Sequence, residues 1–359
     1  MAEEIYRNRR ATGVENGCVR VTVTSEGGHV AEIFHKDTGV NPLWTPPWPS
    51  IEPSTYDRAS RPEYGSSDEA HLLSGIMGHS ICLDTFGKPS SEEFLAGMPV
   101  HGEGPVVPYT VESDQNTISM RTILPMAQLE FHRQISLSRN DGLVHFREDV
   151  ENLSHSDRPI AWTQHVTMGP PFLERGRTQF HAPVTRSRVV EEDFTGGRGA
   201  QKTGADFDGL LCPRKDGGVI DLRVYSSESV SGGFTTHMID PHLDDAFFLA
   251  WSPTTKILFG YIWKRGDFPW LCRWEENHLR SEPPWNSRTL TCAMEFGVSP
   301  MLESRRQMVA RGSLFGTPAF RWVPARSQIH TEYLAFVTVA ESLPGSVRWD
   351  GGESVQFAP

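Results

Sequence analysis

Apolar and polar residues alternate along CVRVTVT at 18–24, stop at Glu26-Gly-Gly28, and alternate again along HVAEIF at 29–34. A period of two marks a strand with one covered face, and the paired glycines supply the positive φ of a tight turn. The stretch therefore predicts a β-hairpin. Similar short runs rich in Val, Ile, Thr and Phe recur at 109–113, 117–123, 129–138, 144–151, 160–168, 218–225, 246–251, 257–263 and 289–297, with late ones at 320–323 and 333–339. Between them are scattered 32 glycines and 26 prolines, the punctuation of a β protein. Helical spacing of apolar residues over ten breaker-free positions is nearly absent, and 304–310 is the one short helix the pattern supports. Many strands and little helix predict an all-β fold of stacked antiparallel sheets, a sandwich or a barrel.

No shift in composition divides the chain, so its 359 residues read as a single β-sandwich domain, 1–359, with the core at 18–340. The glycine-rich stretch at 194–206 has strand signals on both sides and reads as a surface loop. The segment 44–64 carries five prolines together with Trp44 and Trp48. It is too proline-rich for a central strand and too aromatic for disorder, and is predicted to pack over an edge or rim a site.

Charge narrows the partners. A net charge of -11 without any basic block argues against nucleic acid, whose phosphates need clustered Lys and Arg. The opening MAEEIYRNRRATG has charges of both signs and no apolar run, so neither a signal nor a membrane anchor is expected and the cytoplasm is the expected compartment. Five cysteines, without a CxxC pair, fit reduced thiols. The patterns HExxH, GxSxG, GxxxxGK[ST] and GxGxxG after a strand are all missing, and no cofactor is expected. His237, His242 and His79 have acids nearby, but nothing fixes a ligand set, so no metal is expected either. Exposed sandwich edges make a homodimer an expectation.

Several polar residues stand at places where a pocket could form. In WTQHVTMGPPF at 162–172, His165 precedes a Gly-Pro-Pro stop that removes two ladder donors, which puts an imidazole near the open end of a sheet. His101 leads the His-Gly-Glu-Gly-Pro loop, whose glycines let backbone approach a ligand. Glu295 closes the strongly β-forming run TLTCAME before Gly297 and Pro300. Asp244 belongs to an acidic cluster before the strand at 246–251. Trp274 and Trp285 offer flat faces suited to sugar C–H surfaces, and His79 after Gly78 is a further candidate for substrate contact.

Taken in order, these pieces resemble the galactose mutarotase-like family, the aldose 1-epimerases. The resemblance runs through the hairpin SEGGHVAEIFHKDTG, the His101-Gly102 loop, the ladder strand ending in Asn152, His165 with Pro171-Phe172, Asp244 before Phe247, and Glu295 on a late strand. It implies an antiparallel β-supersandwich with a sugar site. It further implies that His165 is a general acid toward the ring oxygen and Glu295 a base toward the C1 hydroxyl, with His101 and Asp244 holding hydroxyls. The sequence departs from the family between Val166 and Phe172, where residues are inserted before the Phe, and no counterpart of the family's arginine can be placed.

Three functions stay open on the sequence. One is a mutarotase-like or epimerase-like enzyme acting at C1 of an aldose by His/Glu acid-base chemistry. The second is a protein that binds a small-molecule or oligomeric sugar without catalysis. The third is a lyase or hydrolase on the same scaffold, for which a hydrolase would need Glu295 and one of Asp240, Asp244 or Glu275 to flank a cleft at roughly 5–10 Å.

Overall fold

The computed structural model describes residues 4–139, 141–352 and 354–358. Strand pairing is antiparallel, and among the described residues it builds a twelve-stranded sheet and an eight-stranded sheet, with three separate two-stranded hairpins. The first predicted hairpin forms between Val19–Thr24 and Val30–His35, and strand Arg9–Glu15 extends it outward. Chain order is interleaved between the sheets: Thr110–Asp114 through Leu143–Asn152 build one side of the smaller sheet, and Gln179–His181, Asp245–Trp251, Ile257–Lys264 and Gln328–Val339 complete it.

The two sheets bury one large apolar layer. Trp162, Leu271 and Phe296 reach into it from the larger sheet and meet Phe131, Phe146 and Phe259 from the smaller. An ionic cluster lies in the same layer. Glu148 accepts from Arg133 Nε at 2.7 Å, Trp162 Nε1 at 2.9 Å, Gln164 Nε2 at 2.6 Å and the Tyr333 hydroxyl at 2.6 Å. Four donors on one buried carboxylate satisfy it, which is the condition for keeping a charge away from water.

Five strands of the larger sheet lie side by side at its middle: His79–Asp84, Arg158–Met168, Leu290–Gly297, Trp270–Asn277 and Ser231–Ile239. Alternation sends every second side chain to the face turned away from the smaller sheet. That outer face is covered by the segment 44–64 and by three short helices, α1 (Ala70–Gly75), α2 (Ser91–Leu95) and α3 (Arg305–Arg311). The predicted helix at 304–310 is α3. Ser304 and Gln307 close its first turn in a capping box, as Ser90 and Glu93 do for α2.

The structure departs from the expectation in two ways. The run at 218–225 contributes only the three-residue strand Val219–Asp221. Strands Arg9–Glu15, His79–Asp84, Val184–Val189, Ser231–Ile239 and Trp270–Asn277 form where none was expected. Gly232-Gly233 looks like a turn, yet a Cβ on Gly233 would stand 2.3 Å from the Gln201 side chain, so the glycine serves close approach inside a buried strand. In Trp270–Asn277 the charges hid the pattern. Arg273 and Glu275 face the same way and neutralise each other at 2.7 Å, which lets both be buried. Among the described residues no helix is long and apolar enough to cross a membrane.

Candidate active site

Strand register brings the candidate imidazole and carboxylate together. Arg158–Met168 pairs with Leu290–Gly297 so that His165 stands directly opposite Glu295, and both project from the outer face because their neighbours Gln164, Val166, Met294 and Phe296 face the intersheet layer. His165 Nε2 lies 3.3 Å from Glu295 Oε1. The contact is close but not an aligned hydrogen bond, and neither Glu295 oxygen has a hydrogen-bond partner although the residue is 1% exposed. A buried carboxyl left without donors is costly. The other ring nitrogen of His165 is held by Thr167 Oγ1 at 2.9 Å, two residues along the same strand and on the same face.

His101 joins the pair from a loop. Its ring meets the His165 ring edge-on, with centroids 5.5 Å apart, and rests on Phe86 at 5.8 Å. The Gly87 N–H donates to His101 Nδ1 at 3.1 Å, while the His101 N–H donates back to the Gly87 carbonyl at 3.0 Å. An imidazole that accepts at Nδ1 carries its proton on Nε2 and presents a donor there. The loop needs its glycine: Gly102 has φ +80°, and a Cβ there would stand 2.0 Å from the Leu83 carbonyl oxygen.

These three side chains line a hollow of about 300 Å³. One wall is aromatic. Trp274 lies 6.1 Å from the His165 ring, Trp285 stands edge-on to Trp274 at 6.0 Å, and Trp44 stacks on Trp285 at 6.4 Å. The proline- and tryptophan-rich segment thus rims the hollow. Arg280 crosses the Trp285 face at 4.6 Å and is held by Glu69 Oε2 at 2.8 Å and by Glu276 Oε2 at 3.6 Å.

Electrostatics follow from burial. Loss of water pushes the Glu295 carboxyl up to about 8. Loss of water, with a smaller contribution from His101, pulls His165 down to about 3, and burial alone pulls His101 down to about 4. Burial thus disfavours charge on all three groups, and favours the proton on the carboxyl over the imidazoles. One proton shared by an acid and a base in contact is the requirement for moving a proton between two substrate oxygens.

Two candidates lie elsewhere. His79 sits on the inner face of its strand, a single residue out of phase with the pocket. It bonds Tyr261 OH at 3.0 Å and Gln164 Oε1 at 2.9 Å beside the Glu148 cluster. Asp244 is exposed in the turn before Asp245–Trp251, a strand of the smaller sheet, and does not line the hollow. The carboxylates considered for a hydrolase do not assemble with Glu295 either, since Asp240, Asp244 and Glu275 are all outside the lining, and Glu275 is committed to Arg273 and Ser231. Among the described residues no group of three or more His, Cys, Asp or Glu is placed to hold a metal ion. Arg280 and its partner Glu69 went unforeseen, because an arginine after a strand and a glutamate before a short helix carry no local signal. Trp44 was legible only as one residue of an unusual segment.

No family model matches the chain, and no curated protein matches it in sequence. Solved structures do match. A Klebsiella pneumoniae protein provisionally described as an aldose 1-epimerase superposes with a TM-score of 0.64 at 13% identity, over 90% of this chain and 77% of that one. A galactose mutarotase-like protein from Clostridium acetobutylicum gives 0.60 at 14% identity, over 94% and 98%. A galactose mutarotase related enzyme from Lactobacillus acidophilus gives 0.58 at 12% identity, over 91% and 97%. At such identities the likeness carries the fold alone, and the fold of this chain is the all-β, galactose mutarotase-like one.

Proposed function

We propose that the protein is a carbohydrate-active isomerase that interconverts the anomers of an aldose at C1, with His165 and Glu295 as the proton-exchanging pair. The observation that carries this reading is a buried, otherwise unpartnered carboxyl 3.3 Å from an imidazole at one hollow walled by indoles. Ring opening requires that the C1 hydroxyl lose a proton, that C1=O form as the bond from C1 to the ring oxygen breaks, and that the ring oxygen gain a proton. Both oxygens are bonded to C1, so two groups this close address both at once. With the proton on Glu295, the carboxylic acid gives it to the ring oxygen as the free imidazole of His165 takes the hydroxyl proton. After rotation about C1–C2, closure on the other carbonyl face runs the same transfers backward. The resemblance implies the opposite division, His165 giving and Glu295 taking. Both divisions place one proton on the pair, and burial favours its residence on the carboxyl.

His101 supports the reaction as a neutral donor. Its Nε2–H would hold a sugar oxygen while the Gly87 amide keeps the ring fixed. Trp274 and Trp285 would take the C–H face of the sugar.

Polarimetry of freshly dissolved aldoses tests this directly. The protein should speed the approach to anomeric equilibrium for at least one neutral aldose, and His165→Ala should slow that reaction by roughly 10²–10⁴-fold. A sugar that raises the melting temperature while its anomers exchange at the uncatalysed rate would establish binding without catalysis and end the proposal.

A further inference from the structure

The hollow has a second wall that the acid-base chemistry does not use. Leu72, Leu73 and Ile76, at α1, and Val100, the neighbour of His101, line it and belong with Trp44 and Trp285 to one apolar cluster. The C–H face of a pyranose is already served by the indoles. A sugar hydroxyl pressed against this aliphatic wall would lose its water and find no partner, which is unfavourable. The wall therefore selects against a hydroxyl at the edge of the sugar that meets it.

Charge points the same way. The cations on the lining are Arg280 and Lys88, against the acids Glu69, Glu192, Glu295 and Glu303. Arg280 is already engaged by Glu69 and Glu276, and its guanidinium face is covered by Trp285. Lys88 is largely exposed, with Asp68 3.9 Å away. A phosphate or uronate would meet no free buried cation and would face unneutralised acid at Glu192.

We propose that the pocket selects an uncharged aldose carrying an apolar edge, a deoxy or O-alkyl position remote from C1, which packs on Leu72, Leu73, Ile76 and Val100. This rests on the reading of His165 and Glu295 as the reacting pair at C1, which sets the end of the sugar that faces the floor.

The test is anomer exchange by two-dimensional exchange NMR across a matched series: glucose, 6-deoxyglucose, 3-O-methylglucose and glucose 6-phosphate. At least one of the two apolar-edged sugars should exceed glucose in kcat/KM by about tenfold or more, the range for a methyl or methylene in an apolar pocket, and the phosphate should be the poorest. Leu73→Gln should erase that ratio, and Leu73→Met, which keeps the wall apolar and guards against misfolding of the first variant, should retain it. Glucose equal to or better than both derivatives, or the phosphate best, would overturn the proposal. If no sugar exchanges, the isomerase reading fails, and the selectivity is decided by tryptophan quenching in the same series: a tenfold tighter dissociation constant for an apolar-edged sugar upholds it, and equal constants or no quenching overturn it.

Discussion

At the scale of residues, the decisive feature is a carboxyl that the fold buries and leaves without donors. Its energetic signature is a pH dependence of stability with a definite sign. Folded Glu295 keeps its proton to about 8, whereas an unfolded glutamate releases it at ~4.3. Across that interval the folded chain binds more protons than the unfolded one, so stability declines as pH rises, by at most about 1.4 kcal/mol per pH unit from this group. His165 acts in the opposite sense lower down: folded at about 3 and unfolded at ~6.5, it adds stability as pH climbs through that window. Above pH ~6.5 only the glutamate effect of the two remains. Melting temperatures measured from pH 6.5 to 8 should therefore fall for the wild type relative to Glu295→Gln; parallel curves would mean the carboxyl is ionised at rest. His165, His101 and Glu295 were legible in sequence because each stands beside glycine or proline at the end of a β-forming run or in a loop. His79 and Asp244 misled. Parity along a strand is invisible without its pairing partner, and an acidic turn gives no hint of which sheet it serves.

At the scale of elements, the site depends on register and on one tight loop. The pairing of Arg158–Met168 with Leu290–Gly297 makes residues 130 positions apart direct neighbours, and a slip of one residue would turn the candidate side chain of the slipped strand into the core and part the pair. The His101 loop is pinned by two hydrogen bonds with Gly87, one to the His101 ring and one from its backbone N–H, and by Gly102 against Leu83. Gly102→Ala puts a Cβ into that carbonyl at positive φ, which should destabilise the fold by about 1–3 kcal/mol and show as a lower melting temperature. An unchanged melting temperature would mean that the loop carries no such constraint. Period-two alternation was enough to find most strands of the smaller sheet, whose edges are polar. It failed for Ser231–Ile239, where Gly232-Gly233 reads as a turn, and for Trp270–Asn277, where an internal ion pair breaks the apolar run.

At the scale of the whole molecule, two sheets share one apolar layer, and the candidate site lies on the outer face of the larger sheet, away from that layer. The division keeps the apolar core apart from a polar hollow that holds an unpartnered carboxyl. Glu148 anchors the core. Glu148→Gln leaves the buried Arg133 without its counter-charge and should cost about 3–5 kcal/mol in denaturant unfolding; a loss below about 1 kcal/mol would show the cluster to be dispensable. The account as a whole is tested most directly by the pH dependence of anomer exchange, measured by exchange NMR and corrected for the uncatalysed rate. One proton on the His165–Glu295 pair predicts a rate that holds through neutral pH and falls above about 8, and a loss of at least about 100-fold in Glu295→Gln. Exchange that persists at the wild-type rate in that variant, or that keeps rising beyond pH 8, would contradict it.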